Sequence, residues 1–154
     1  MKLTENFTLQ EFLNSETAVK KGIKGQFNPP AGIISNLTIL AGKLQEIRDK
    51  YNRKRAGQGK PMVAMRISSG WRCPELNKAV GGSNTSAHLS GLAADVVLTI
   101  KGQRADKATF IEFYDYVRKN HKFDQLINEY NYSWVHIGYK LNESEYRNMV
   151  FNIG

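Results

Sequence analysis

Two of the chain's three histidines stand in surroundings that an imidazole seldom occupies alone. His88 lies in Gly81-Gly-Ser-Asn-Thr-Ser-Ala-His-Leu-Ser-Gly-Leu-Ala-Ala-Asp95, a small, polar, glycine-rich approach that passes abruptly into an apolar strand. Asp95 is the only charge in that strand, set between Ala94 and Val96. His136 sits mid-strand in Trp134-Val-His-Ile-Gly138, again a polar group in an apolar run. A buried carboxylate is costly unless it is paired or coordinates a metal. Two imidazoles and a carboxylate suit a borderline cation such as zinc, with the loop–strand pair supplying two ligands and a distant strand the third. Three protein ligands leave one coordination position for water, which is the catalytic rather than the structural arrangement. The plainer alternatives are a hydrogen-bonded core histidine and an aspartate paired with Arg66 or Arg72.

A fourth group follows from strand periodicity. In an expected strand over 123–130, Gln125, Ile127 and Glu129 share one face. Glu129 lies seven residues before His136, at the open end of a hairpin formed with 133–139. A carboxylate beside a metal and its water can take a proton and later hand it to a leaving amine. The set reads as a metal-dependent hydrolase. Other candidates are weaker. His121, in Lys119-Asn-His-Lys122, reads as a helix C-terminal cap. Cys73 precedes a proline at a helix start, where a thiol pKa can fall, but no base accompanies it and it reads as structural. Tyr130, Tyr132 and Tyr139 flank the site as cleft lining or as ordinary sheet aromatics.

The elements that must position these groups are legible from pattern. Thr8-x-x-Glu11 is a capping box opening a short helix with Leu9, Phe12 and Leu13 as its apolar side. A second short turn is expected from Glu16 to Gly22, and Pro29-Pro30 forces extension. Ile34, Leu37, Leu40, Leu44, Ile47 and Tyr51 recur in steps of three and four, which predicts an amphipathic helix from Gly32 to about Tyr51. Residues 56–61 read as a loop. Met62–Ser68 alternates as a strand with Val63, Met65 and Ile67 on one face. Pro74–Val80 reads as a helix with proline at its first position, Leu92–Ile100 as a buried strand and Ala105–Asn120 as a second amphipathic helix. Strands are expected at 123–130, 133–139 and 147–153. Helices first and strands late predict an α+β fold, a single domain with a central, largely antiparallel sheet and helices packed on one side. Within it, residues 1–60 form a helical part and 61–154 the sheet and metal-site part.

Size and composition bound the function. A chain of 154 residues is one domain and buries about two-thirds of its unfolded surface. No apolar run approaches the ~18 residues that span a bilayer. The single cysteine excludes an intramolecular disulfide and a multi-cysteine zinc site. The net charge of +8 is uneven, with 11 Lys/Arg against 5 Asp/Glu in residues 1–60. Lys50, Arg53, Lys54, Arg55 and Lys60 form the densest cluster. Such a surplus suits a polyanionic partner, or is simply a solvated helix end. No helix-turn-helix, zinc-finger or RNP-like pattern accompanies it, so nucleic acid is not the expected partner. No apolar h-region follows the N-terminus. The chain is expected to be a monomer that is cytoplasmic as synthesised, or one whose signal has been trimmed.

The motifs also carry a family resemblance. Ser86-Ala-His88-Leu-Ser-Gly91-Leu-Ala93-Ala-Asp95 resembles the S-x-H-x-x-G-x-A-x-D signature of the zinc D-alanyl-D-alanine carboxypeptidase family. That family includes VanX- and VanY-type peptidases, phage endolysins that cut L-alanyl-D-glutamate bonds and, more distantly, the Hedgehog domain. Trp134-Val135-His136 is similar to its W-V-H block. Ser69-Gly70-Trp71-Arg72-Cys73-Pro74-Glu75-Leu76-Asn77 is similar to its S-G-[WY]-R-x-P-x-L-N segment, and Phe7-Thr-Leu-Gln-Glu-Phe-Leu resembles the start of small stand-alone members. The blocks come in the family's order and span most of the chain.

The resemblance implies a Hedgehog/D-Ala-D-Ala peptidase-like fold and one Zn2+ per chain bound by His88, Asp95 and His136. It implies that a zinc-bound water attacks the amide with Glu129 as general base and acid. Arg72 would contact substrate and stabilise the oxyanion, and Ser86 would support the site or bind substrate. The implied substrate is a peptidoglycan stem peptide in an anionic cell wall, reached after release as phage lysins are. The implied bond is D-Ala-D-Ala, as for a carboxypeptidase, or L-Ala-D-Glu, as for an endopeptidase. The alternative is a catalytically inactive, zinc-containing wall-binding module of the same fold.

Overall fold

The computed structural model describes residues 1–154. Its first segments are helices α1 (Leu9–Leu13) and α2 (Glu16–Lys21). The capping box is present, with Thr8 Oγ1 accepting from Glu11 N and Glu11 Oε2 accepting from Thr8 N at 2.7 Å. Helix α3 (Ala31–Gly57) buries Leu37, Leu40, Ala41, Leu44, Ile47 and Tyr51. It outlasts the expected end at Tyr51 because Asn52–Gly57 contains no strong breaker until its last residue. Its basic last turn also complements the negative end of the helix dipole. The following segment folds back on that end. Asn52 pins Val63 through both side-chain atoms, and Arg55 Nε donates to Pro61 O at 2.7 Å. Part of the basic cluster is neutralised here, since Lys60 and Arg55 share Glu112.

Strand β1 (Ala64–Ser69), helix α4 (Pro74–Ala79), strands β2 (Ala93–Ile100) and β3 (Gln103–Arg104), and helix α5 (Lys107–Asn120) follow, then β4 (Gln125–Glu129), β5 (Trp134–Gly138) and β6 (Met149–Ile153). The sheet order is β1-β2-β5-β4-β6, with β3 paired to β2. Every pair is antiparallel except β4–β6, which is parallel. The fold is therefore α+β with a mostly antiparallel open sheet. Its register makes two columns. Ala94, Ile137 and Leu126 align across three strands and are fully buried in a core shared with α3 and α5. Asp95, His136, Ile127 and Phe151 align on the opposite face. Tyr51 of α3 joins the two long helices, lying 5.3 Å from Phe113 and 5.1 Å from Tyr116 between ring centroids.

An ion pair joins the start of the parallel edge. Asp124, 1% exposed, accepts from Arg147 N and Nε at Oδ1 and from Arg147 Nη2 at Oδ2, while its carbonyl accepts from Met149 N. Hydrogen bonds from Arg147 outweigh burial and hold the Asp124 carboxyl below its ordinary value. The folded state thus favours the carboxylate, so this stabilisation is present at neutral pH and is lost as pH falls through the folded value. Asp124→Asn is expected to cost about 2 kcal/mol at pH 7 in urea unfolding, the scale of hydrogen bonds to a charged group. The gap should narrow below about pH 4, the ordinary aspartate value. A gap of the same size at pH 3 would refute the assignment.

Candidate metal centre

The site begins where β1 ends. A register shift between Ile67 and Ser69 places Ser69 opposite Asp95. The chain then crosses α1 at Gly70, where a Cβ would lie 2.6 Å from Phe12 O and 2.7 Å from Phe12 Cα. Only glycine allows that approach. The Gly70 carbonyl faces His88 and accepts from its Nδ1 at 2.6 Å. His88 rides on a 3-10 turn, Ala87–Ser90, capped by Ser86 Oγ and closed by Gly91 at φ 74°. With Nδ1–H used by Gly70, Nε2 is the nitrogen that faces inward, 3.4 Å from Asp95 Oδ1.

Asp95 comes from the start of β2, and His136 from its cross-strand partner position on β5. His136 Nδ1 lies 3.0 Å from the same Asp95 Oδ1. The three ligand atoms of His88, Asp95 and His136 fall within 4.8 Å of one another. Burial works against ionisation of Asp95, but the two flanking imidazoles overcome it and hold the carboxyl far below the usual carboxylate range. Its ion pairs are with these histidines and not with Arg66 or Arg72. Two imidazoles with their outer nitrogens occupied, and an anionic carboxylate between them, form a donor set that fits zinc.

Glu129 stands beside this group. Its Oε2 lies 3.9 Å from His136 Nδ1 and accepts from Trp134 Nε1 at 3.1 Å. Glu129 pairs with Trp134 next to the turn, so it occupies the closed end of the hairpin and not the expected open end. Strand pairing at Ile127–His136 still brings it to the site, because β4 presents residues 125, 127 and 129 on one face. Arg72 Nη2 donates to Ser86 Oγ at 3.2 Å, and its Nε is buried without a partner. Burial lowers the Arg72 pKa, and the Asp95 and Glu129 charges oppose that.

The turn itself is unusual. Tyr130, Asn131 and Tyr132 have φ of 49°, 57° and 61°, three consecutive non-glycine residues in the left-handed region. Each costs about 1 kcal/mol or more, and the surroundings supply compensation. Arg104 Nη2 donates to Tyr132 O and Ser133 O at 2.8 and 2.7 Å, Asn128 Oδ1 accepts from Tyr132 N, and Ile153 O accepts from Tyr130 N. The result is an exposed Tyr130 ring tilted against Trp134, 5.2 Å between centroids, at the cavity wall.

A cavity of about 790 Å³ opens over the cluster, with Arg72, Ser86, Glu129, Tyr130 and Phe151 in its lining. A second, of about 910 Å³, lies towards Glu16, Lys20, Phe27 and Arg66. Both are lined by Arg72, Val80, Asp95 and Trp134, so the cluster sits where the two meet.

The remaining candidates lie elsewhere or serve structure. His121 caps the end of α5 and contacts Tyr116. Cys73 is buried and caps α4 through Sγ. Tyr132 packs on Tyr114, and Tyr139 is buried. Pattern reading missed the Gly70 carbonyl, the Trp134 indole as a partner of Glu129, and Gln125, whose Oε1 lies 3.2 Å from His136 Nε2. Of these, Gln125 left a signal, because it shares the strand face of Glu129.

An α+β domain that gathers two imidazoles and a carboxylate in one cleft, with a second carboxylate beside them, is organised as a metal-dependent hydrolase. Residues 5–138 match the family model described as Peptidase M15, and the chain belongs to the peptidase M15 family. That makes it a peptidase of a zinc-dependent family, and its buried His88–Asp95–His136 group could hold the metal. A comparison with curated proteins gives no match. No helix is long and apolar enough to cross a membrane.

Proposed function

We propose that the chain is a zinc metallopeptidase that hydrolyses amide bonds in peptidoglycan stem peptides, with one zinc per chain held by His88, Asp95 and His136. The observation that carries this reading is the convergence of their ligand atoms within 4.8 Å, with the Glu129 carboxylate 3.9 Å from His136 Nδ1. When bound, zinc supplies Lewis-acid polarisation of the scissile carbonyl and lowers the pKa of the attacking water. Glu129 takes the proton from that water and returns it to the leaving nitrogen. Trp134 steadies one of its oxygens and leaves the other for the proton. Arg72 stabilises the developing oxyanion or a substrate carboxylate through donors not used by Ser86. Ser86 fixes both the Arg72 fork and the His88 backbone. The anionic wall is the partner that suits a charge of +8 on a monomer.

The cleft continues past the cluster on both sides, which favours an endopeptidase cutting L-Ala-D-Glu over a D-Ala-D-Ala carboxypeptidase that must close around a terminal carboxylate. A catalytically inactive wall-binding module is the other reading, and the placement of Glu129 counts against it. The test is metal analysis of the purified protein together with digestion of muropeptides of defined structure, weighing the products. One zinc per chain and a mass change for a cut after L-Ala is the expected result. Loss of a single D-Ala would select the carboxypeptidase, and zinc binding with no product would select the binding module.

A further inference from the structure

The ring of His136 is bracketed by two residues of one strand. Ile127 is its cross-strand partner, and the neighbours two positions away on the same face are Gln125 and Glu129. Glu129 lies on the Nδ1 side of the ring, whereas Gln125 Oε1 accepts from Nε2 at 3.2 Å. The contact depends on the residue opposite Gln125, which is Gly138. A Cβ at Gly138 would lie 3.3 Å from both Gln125 Oε1 and His136 Nε2, so the missing side chain leaves the space in which they meet. Gln125 is also held on both sides, paired with Gly138 on β5 and Met149 on β6. Its backbone is therefore fixed while its carboxamide reaches the ring.

We propose that Gln125 is a positioning residue that holds a proton on His136 Nε2, so that Nδ1, the nitrogen facing Asp95, gives its lone pair to the metal. The inference rests on the reading of His136 as a zinc ligand. Neutral imidazole carries one proton, and the nitrogen that donates cannot also bind a cation. An acceptor at Nε2 therefore keeps the proton on that nitrogen when a cation displaces the one between Nδ1 and Asp95. A neutral carboxamide does this without adding a third anion to Asp95 and Glu129 around the ring.

The test is the zinc dissociation constant by chelator competition, and the visible absorption spectrum of the cobalt(II) form, both without substrate. Gln125→Met keeps the length of the side chain and removes the acceptor. It is expected to weaken zinc binding about 10- to 100-fold, the usual range for loss of an outer-shell partner, and to alter the cobalt spectrum. Gln125→Glu keeps an acceptor and is expected to bind zinc within about threefold of wild type. Gly138→Ala crowds the same contact from the other strand and is expected to weaken binding several-fold, which keeps the test alive if the Met variant fails to fold. Wild-type affinity and spectrum in both Gln125→Met and Gly138→Ala would overturn the proposal while leaving the zinc site intact. An equal loss in Gln125→Glu and Gln125→Met would also overturn it, because shape and not the acceptor would then matter. A wild-type protein that binds no zinc would overturn the functional reading and this inference together.

Discussion

Asp95→Ala is expected to abolish zinc binding and reduce peptide hydrolysis to background. The Asp95 Oδ1 atom lies 3.0 Å from His136 Nδ1 and 3.4 Å from His88 Nε2, and it is the only anion between the two imidazoles. Without it the cation would face two neutral donors in a largely buried setting, with no charge to offset its dehydration. Thermal unfolding gives a second, independent readout. A ligand that binds only the folded state at a hundred times its dissociation constant stabilises by about 2.7 kcal/mol. Excess zinc should therefore raise the melting temperature of the wild type by several degrees and leave that of Asp95→Ala unmoved. Equal zinc-induced shifts in the two proteins would exclude His88–Asp95–His136 as the site.

Glu129→Gln is expected to separate chemistry from metal binding. Glutamine keeps the size of the side chain and an oxygen for the Trp134 indole, so the cavity wall should be preserved. It removes the group that accepts and returns the proton. General acid–base catalysis contributes about 10²- to 10⁴-fold, and kcat should fall by that range while zinc content stays at one per chain. Retention of activity within tenfold would mean that another group moves the proton. Loss of zinc would mean that Glu129 belongs to the ligand set.

Much of the site was legible because chemistry and local periodicity point the same way. Asp95 and His136 are conspicuous as polar groups in apolar strands and are aligned by strand pairing, and His88 stands out in the glycine-rich approach to the first of those strands. The row Gln125, Ile127, Glu129 follows from the two-residue repeat. Direction is different, because periodicity carries no information about it. Glu129 was expected at the open end of the hairpin but adjoins its turn, as the short connection requires of the last residue of β4, and nothing local in Tyr130–Ser133 announces three left-handed residues in a row. They are held there by Arg104, Asn128 and Ile153, all outside the turn. The parallel pairing of β6 was equally hidden, because its contacts with β4, the Asp124–Arg147 pair among them, join residues 23 or more positions apart. The apolar stripe of α3 stops at Tyr51, whereas the helix continues to Gly57, for as long as its backbone is tolerated.

The two histidines differ in what anchors their outer nitrogens, and the difference sets how each can be altered. His136 is held by a side chain, so one codon change at position 125 can lengthen, charge or delete its partner. His88 is held by the main-chain carbonyl of Gly70, an atom that every amino acid carries. No choice of residue at position 70 removes that acceptor, and the nearness of Phe12 restricts the choice to glycine in any case. Engineering aimed at metal preference or water acidity therefore has one handle and one fixed post. A library randomised at Gln125 samples the chemistry of the centre, whereas one randomised at Gly70 samples only whether the chain folds.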